Sequence, residues 1–421
     1  MKFYFLTISL ITFLVLYSGN KIIKDVYFFE EINFAPHKSK TNKNNLKAEK
    51  PKRILIVNSA HGLFGGAEMY TLSLYKNLIK KGHSVKVLLV KDSATEKKFT
   101  ELKISHYSYN KYMPLKVTVQ PGLYHAIYKI CKENDIQIIH CNVHREVHAA
   151  QKAANQLNAK VVMTRHISDK LKEKYLKNLD GVIGVNKQIT KYMQNENISK
   201  NLNVKELATI TPFFEEKTFL NFKTQEKAHD FFQNNFNINL KNLPIICTIA
   251  HLSENKNHAV LFKAIHKLIY EKNKHAQIVL AGAENQNKLK KLSQDLNIQE
   301  YVHFLGYTEK IPTILHHSDI KVLPSKEEGF PISLLEAALL KKPLIGANKS
   351  GMTNLIKHEK TGLLFENNNV ESLTAQIERL LDNPELGKQL GENAYEFVMN
   401  NFSTDVNMKK LEDFYERIQQ H

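Results

Sequence analysis

Two carboxylates frame the stretch with the most chemical potential. In Lys326 to Ala337, KEEGFPISLLEA, Glu328 and Glu336 are separated by seven residues. An apolar run, Ile320 to Pro324, precedes them and an apolar periodic segment follows, so the order reads as strand, loop, helix. Pro331 suits the first helical position, where its missing N–H costs nothing. Glu328 is then expected in the loop and Glu336 more than a turn into the helix. The free N–H groups and the dipole at such a helix start favour a phosphate. A ligand with hydroxyls on both sides of a diphosphate would fit. The alternative is a capped surface helix whose glutamates are incidental.

Two further groups could join that site. His251-Leu-Ser-Glu-Asn-Lys256 follows an apolar run ending at Ala250, which places the Lys256 cation in a loop at a strand's carboxyl edge. There it could clamp a leaving diphosphate; the plainer reading is a solvated lysine at a helix start. Gly65 and Gly66 follow another apolar run, Arg53 to Asn58. Without side chains they would let backbone amides approach a phosphate, or simply form a flexible turn.

These residues need a scaffold, and the periodicity supplies one. Short apolar runs at Arg53 to Asn58, Val85 to Val90, Ile136 to His140, Val161 to Thr164 and Val182 to Val185 alternate with helical stretches. After Thr211-Pro-Phe-Phe214 the rhythm restarts, with runs at Pro244 to Ala250, Ile278 to Ala281, Val302 to Leu305, Ile320 to Leu323 and Leu344 to Gly346. Strand and helix in alternation imply parallel sheets covered on both faces, with ligands beyond the carboxyl ends of the strands. Two doubly wound units follow, joined through the aromatic and acidic segment Ile210 to Asn239. Val406 to Ile418 reads as a closing helix that docks on one of them.

Composition limits the partners. With 43% hydrophobic and 24% charged residues, the chain of 421 is globular and long enough for two cores. A formal charge of +17 admits nucleic acid, an anionic membrane or a phosphorylated substrate. No RNP-like, zinc-finger or basic-zipper pattern accompanies the charge, so no nucleic-acid partner is expected. Cys131, Cys141 and Cys247 lie far apart without CxxC spacing and read as reduced core thiols.

The N-terminus adds a membrane expectation. Phe3 to Tyr17 is apolar apart from Thr7, Ser9 and Thr12, which is short for a spanning helix and long enough for a signal core. Tyr17-Ser-Gly-Asn-Lys21 is a poor cleavage site, which favours an uncleaved anchor. From Lys21 to Arg53 there are nine Lys or Arg against four Asp or Glu, so charge orientation puts the remaining chain in the cytoplasm. Residues 1–20 are thus expected as a membrane anchor or signal-like helix, and 21–50 as a basic polar tether.

From Lys52 to the C-terminus the chain resembles the family-4 glycosyltransferases, retaining nucleotide-sugar enzymes of GT-B architecture. The resemblance rests on Leu323-Pro-Ser325, Glu328-Gly-Phe-Pro-Ile-Ser-Leu-Leu-Glu336-Ala, Lys342-Pro-Leu-Ile-Gly346 and Lys360-Thr-Gly-Leu-Leu364. Gly65-Gly-Ala-Glu68, His251 to Lys256 and Phe304-Leu-Gly-Tyr307 support it. It implies an α/β fold of two Rossmann-like domains facing across a cleft: an acceptor domain over 51–210, a nucleotide-sugar domain over 211–400 and a C-terminal helix over 401–421. The membrane-anchor helix precedes them.

The resemblance also implies roles. Glu328 would engage the donor sugar's hydroxyls beside the backbone of Gly329 and Phe330, and Glu336 the ribose diol. Lys256 would neutralise the diphosphate, with Gly65 and Gly66 approaching it from the other domain. Gly306 and Tyr307 would border the base, and His166 would lie near the reacting centre. Where relatives usually carry Arg, this chain has His251, an imidazole with one N–H donor in place of a permanently charged fork.

The expected reaction is retaining transfer of a sugar from a nucleotide-diphosphate co-substrate to a glycan or lipid-linked acceptor at the cytoplasmic membrane face, in envelope polysaccharide or lipopolysaccharide synthesis. No cofactor is implied. Asp-x-Asp does not occur in the sequence, so a carboxylate-bound divalent metal is not expected. Two alternatives remain: a catalytically silent, membrane-tethered sugar-nucleotide-binding relative, and a nucleotide-sugar epimerase.

Overall fold

The computed structural model describes residues 29–32, 50–60, 65–110, 121–166, 177–195, 203–214, 216–283, 286–349 and 351–420. Two sheets organise them. The first holds β1 (Phe29–Ile32), β2 (Arg53–Asn58), β3 (Ser84–Val90), β4 (His106–Tyr109), β5 (Ile138–Cys141), β6 (Lys160–Arg165), β7 (Gly181–Gly184) and β8 (Glu206–Thr209). Their order is β1-β4-β3-β2-β5-β6-β7-β8. All neighbours are parallel except β1, which runs antiparallel to β4 along one edge. The second holds β9 (Ile245–Ile249), β10 (Gln277–Ala281), β11 (Val302–Gly306), β12 (Ile320–Leu323), β13 (Leu344–Ala347) and β14 (Leu363–Phe365) in the order β11-β10-β9-β12-β13-β14.

Both are Rossmann-like windings, in which the chain builds outward from one central strand and then reverses. The reversal leaves a crevice at the carboxyl edge, between β2 and β5 in one sheet and between β9 and β12 in the other. Burial on both faces explains the continuous apolar runs. In β2, Leu55 and Val57 enter one core while Ile54 and Ile56 enter the opposite one.

Five helices matter to the site: α1 (Gly66–Lys80), α2 (His258–Tyr270), α3 (Ile332–Leu339), α4 (Pro384–Phe402) and α5 (Thr404–Gln420). Helix α4 packs Ala394, Val398 and Phe402 into the core beneath α3. The chain then crosses back, and α5 buries Met408, Leu411, Phe414, Tyr415 and Ile418 against the first sheet. Burial of each large apolar side chain contributes about 2 kcal/mol, which fixes the docking. A side chain on Gly181 of β7 would overlap the Phe414 ring, so glycine is what lets α5 lie this close.

Four strands escape the periodicity. Strand β1 sits inside the stretch expected as a polar tether; β4 (HYSY) and β8 (ELAT) lack a continuous apolar run, and β14 is three residues long.

The membrane expectation is corrected. Residues 1–20 lie outside the described residues, and no helix among the described residues is long and apolar enough to cross a membrane. The described architecture is two Rossmann-like domains; an anchor helix has no support among the described residues, and the placement at the cytoplasmic membrane face, which rested on that anchor, loses its support with it.

Candidate functional site

The crevice of the second sheet gathers the charged residues. Lys256 follows β9 and Glu328 follows β12, the two strands flanking the reversal, and Lys256 Nζ lies 2.6 Å from Glu328 Oε1. The pair is shielded, with side-chain exposures of 20% and 11%. Lys256 lies in the loop after β9 and not at a helix start, the plainer reading. It ends a 3-10 turn, Glu254–Lys256, and Asn257 takes a left-handed conformation (φ 53°) before α2 begins. That reversal separates the lysine from α2. Asn255 tightens the same loop pair: its side chain donates to Glu327 O at 3.0 Å and its carbonyl accepts from Lys326 N at 2.8 Å.

Pro331 caps α3 one position before its first helical residue, leaving Glu328 in the loop and Glu336 in the second turn. Glu336 is partly buried, and burial pushes its carboxyl up to about 7. The nearest opposing influence is Lys321 of β12, wholly buried on the same side of the sheet as α3.

The first sheet meets this loop directly. Asn186 caps the helix Lys187–Gln194 with its side-chain oxygen, taking Ile189 N at 2.7 Å, and its amide nitrogen donates to Gly329 O. A side chain on Gly329 would overlap the carbonyl oxygen of His166, so glycine is required for the approach. Gly66 stands opposite Ile332, the first residue of α3, with space for ordinary contact. Gln188 bridges the same seam, donating to Thr353 Oγ1 at 3.2 Å and accepting from Asn354 Nδ2 at 2.7 Å.

His166 follows β6. Its Nε2 is buried without a hydrogen-bond partner among the described residues, and Tyr70 meets its ring edge-on at 5.0 Å between centroids. Burial lowers its pKa to about 4, so it is neutral at physiological pH. Behind it runs a buried chain: Tyr70 Oη to Thr164 Oγ1 at 3.0 Å, Thr164 Oγ1 to His140 Nε2 at 2.7 Å, and His140 Nδ1 to Tyr415 Oη of α5 at 2.6 Å. Glu146 ties the crevice of the first sheet, accepting from the backbone N–H of Ser59, Asn142 and Val143.

Of the remaining expected residues, Gly65 caps α1 and its N–H donates to Glu68 Oε2 at 3.0 Å. Gly306 ends β11 at φ 71°, and Tyr307 beside it is 65% exposed. His251 is partly buried, and its carbonyl lies 3.2 Å from His258 Nε2. Phe330 is buried against the Phe402 ring, a packing role that leaves only its backbone for a ligand. Sequence reasoning missed Lys321, Asn186 and Gly351, whose positive φ lets it pack on the Glu328 backbone. A lysine inside the apolar run Ile320 to Leu323 was the available signal for the first.

Two Rossmann-like domains in one chain, meeting at the Gly329 loop, are the architecture of the GT-B class. Residues 230–397 match the family described as Glycosyl transferases group 1, and residues 64–202 match Glycosyltransferase Family 4. The chain is a GT-B-type glycosyltransferase related to these two families. Over 139 residues it is 33% identical to the Escherichia coli UDP-Gal:alpha-D-GlcNAc-diphosphoundecaprenol alpha-1,3-galactosyltransferase, a match covering 33% of this chain and 36% of that protein. The aligned parts span about half or less of the curated relatives' length. Among solved structures, a Rickettsia africae glycosyltransferase superposes with TM-score 0.74 at 23% identity, covering 88% of this chain and 99% of that one. Anabaena HepE in complex with UDP-glucose gives 0.72 at 18%, covering 86% and 99%. At those identities the likeness is one of fold.

Proposed function

We propose that the protein transfers a sugar, with retention, from a nucleotide-diphosphate donor to a glycan or lipid-linked acceptor in polysaccharide synthesis. The observation that carries this is the Lys256–Glu328 pair at the strand reversal beside the start of α3. It sets a cation and a carboxylate beside a helix start, within one ligand's length. Glu328 reads the sugar hydroxyls beside the Gly329 and Phe330 backbone, Glu336 the ribose, and Gly306 with Tyr307 borders the base. Gly65 and Gly66 approach the diphosphate from the other domain, and His251 flanks it.

As the glycosidic bond breaks, positive charge grows on the sugar and negative charge on the departing diphosphate. Lys256 and the positive end of the α3 dipole stabilise the second, and the fixed geometry spares reorganisation. His166 is neutral, so it orients an acceptor or sugar hydroxyl by a hydrogen bond and does not supply a full charge. The lipid-linked acceptor class follows the name of the E. coli relative.

The test is a panel of nucleotide sugars assayed by released nucleotide, with and without lipid extract. Acceptor-dependent release supports transfer. Binding without turnover would favour the silent relative, a reading that His251 in place of Arg motivates, and donor conversion without acceptor would favour an epimerase.

A further inference from the structure

Lys321 has no place in the mechanism above, yet it is a lysine with 0% exposure in the middle of a central strand. Its neighbours on β12 divide by face: Ile320 and Val322 enter one core, while Leu323 enters the other, with Cys247 of β9 and Leu334, Leu335 and Ala338 of α3. Lys321 shares the Leu323 face and pairs in register with Cys247. Its ammonium makes one weak contact, Val322 O at 3.5 Å, and among the described residues no carboxylate lies within ion-pair distance. A buried ammonium left this way opposes folding, so an apolar residue would serve a purely structural role better.

The charged and titratable groups around it are Cys247 on β9, Glu336 on α3, Glu328 in the loop between β12 and α3, Lys256 after β9 and His258 at the start of α2. Glu328 already has Lys256 at 2.6 Å. Among the described residues Glu336 has no ion-pair partner. If a donor diphosphate draws Lys256 away from Glu328, Lys321 is the buried cation left on the α3 side of the sheet, acting on both carboxylates through space.

We propose that Lys321 is a positioning residue of the donor site, a buried counter-charge that keeps Glu336 ionised to accept the ribose hydroxyls and sustains Glu328 once Lys256 turns to the diphosphate. The proposal rests on the donor-site reading above and deepens it. Burial drives the Lys321 ammonium down to about 8, and the two glutamates work against that shift. Burial raises Glu336 to about 7, and Lys321 works against that shift.

The experiment measures UDP binding by calorimetry on the full chain between about pH 6 and 9. Titration of UDP itself is common to all variants and cancels in their comparison. Wild-type affinity rises with pH as Glu336 ionises. Lys321→Met, close in volume, is expected to weaken UDP binding about tenfold near pH 6.5 and to recover toward wild type by about pH 9, a shift of about one pH unit. Lys321→Arg keeps the wild-type profile. Glu336→Gln binds weakly at every pH, and adding Lys321→Met to it brings little further loss. If the Lys321→Met profile superimposes on wild type while Glu336→Gln is weakened, the counter-charge is wrong and the donor-site reading survives. If Glu336→Gln binds UDP like wild type, that reading itself fails. Should the methionine variant not fold, carbon-13 NMR of lysine-labelled wild-type protein decides. A lysine titrating near about 8 that moves upward with UDP supports the proposal, and the lack of any such lysine overturns it.

Discussion

Lys256 and Glu328 are 72 residues apart in sequence and 2.6 Å apart in space, because the strands that deliver them, β9 and β12, flank the reversal of one sheet. On the proposed reading this pair joins the phosphate-binding cation to the sugar-binding carboxylate, and a bound donor would part them.

Removal of either member should therefore affect catalysis more than folding. Glu328→Ala and Lys256→Met are each expected to reduce transfer by about 10²-fold or more. The partly exposed pair should couple by no more than about 1 kcal/mol in a double-mutant cycle of unfolding. Steady-state rates beside denaturant melts separate the two effects. Normal transfer by Glu328→Ala would sink this assignment.

His251→Arg tests the departure from the family pattern. A permanent charge beside the diphosphate should tighten UDP binding several-fold. Calorimetry suffices. Unchanged affinity would put His251 outside the clamp.

Gly329→Ala probes the seam between domains. The added methyl meets the His166 carbonyl, backbone against backbone, so the two lobes must separate locally. Transfer is expected to fall at least about tenfold while UDP binding by the second domain changes little. Gly82→Ala is the comparison: its φ of 92° strains an alanine but nothing surrounds it, so about 1 kcal/mol of stability should be lost with the rate retained.

Acidification should destabilise the fold between pH 6.5 and 4.5. Burial holds His83, His166 and His258 near about 4 and His140 near about 3, so in this window the unfolded chain binds protons that the native state refuses. Glu146 and Glu336, raised to about 7, act in the opposite sense, since the native state binds their protons first. Burial also lowers His303, His316 and His317 and raises Glu412, so among the described residues seven groups against three leave a net excess of protons in the unfolded state. The melting temperature is expected to drop as pH falls through this range; a flat or rising profile would contradict the burial of these histidines.

The sequence alone determined the two alternating strand-helix units and the loop-helix placement of Glu328 and Glu336, because apolar periodicity and a proline at a helix start are local signals. It also exposed His251 as a departure, since a motif is read position by position. It misled at the N-terminus, where the same hydropathy count serves an anchor and a signal core alike. Only the tertiary structure decided which residues meet. That Lys256 reaches Glu328, that Asn186 and His166 press on Gly329, and that α5 returns to bury Tyr415 beside His140 depend on strand order and domain docking. Lys321 shows the limit most sharply. A charge in an apolar run is visible in the sequence, but whether it faces solvent, an ion pair or a ligand site is set by which side of a buried sheet it occupies and what the neighbouring helix brings to that side.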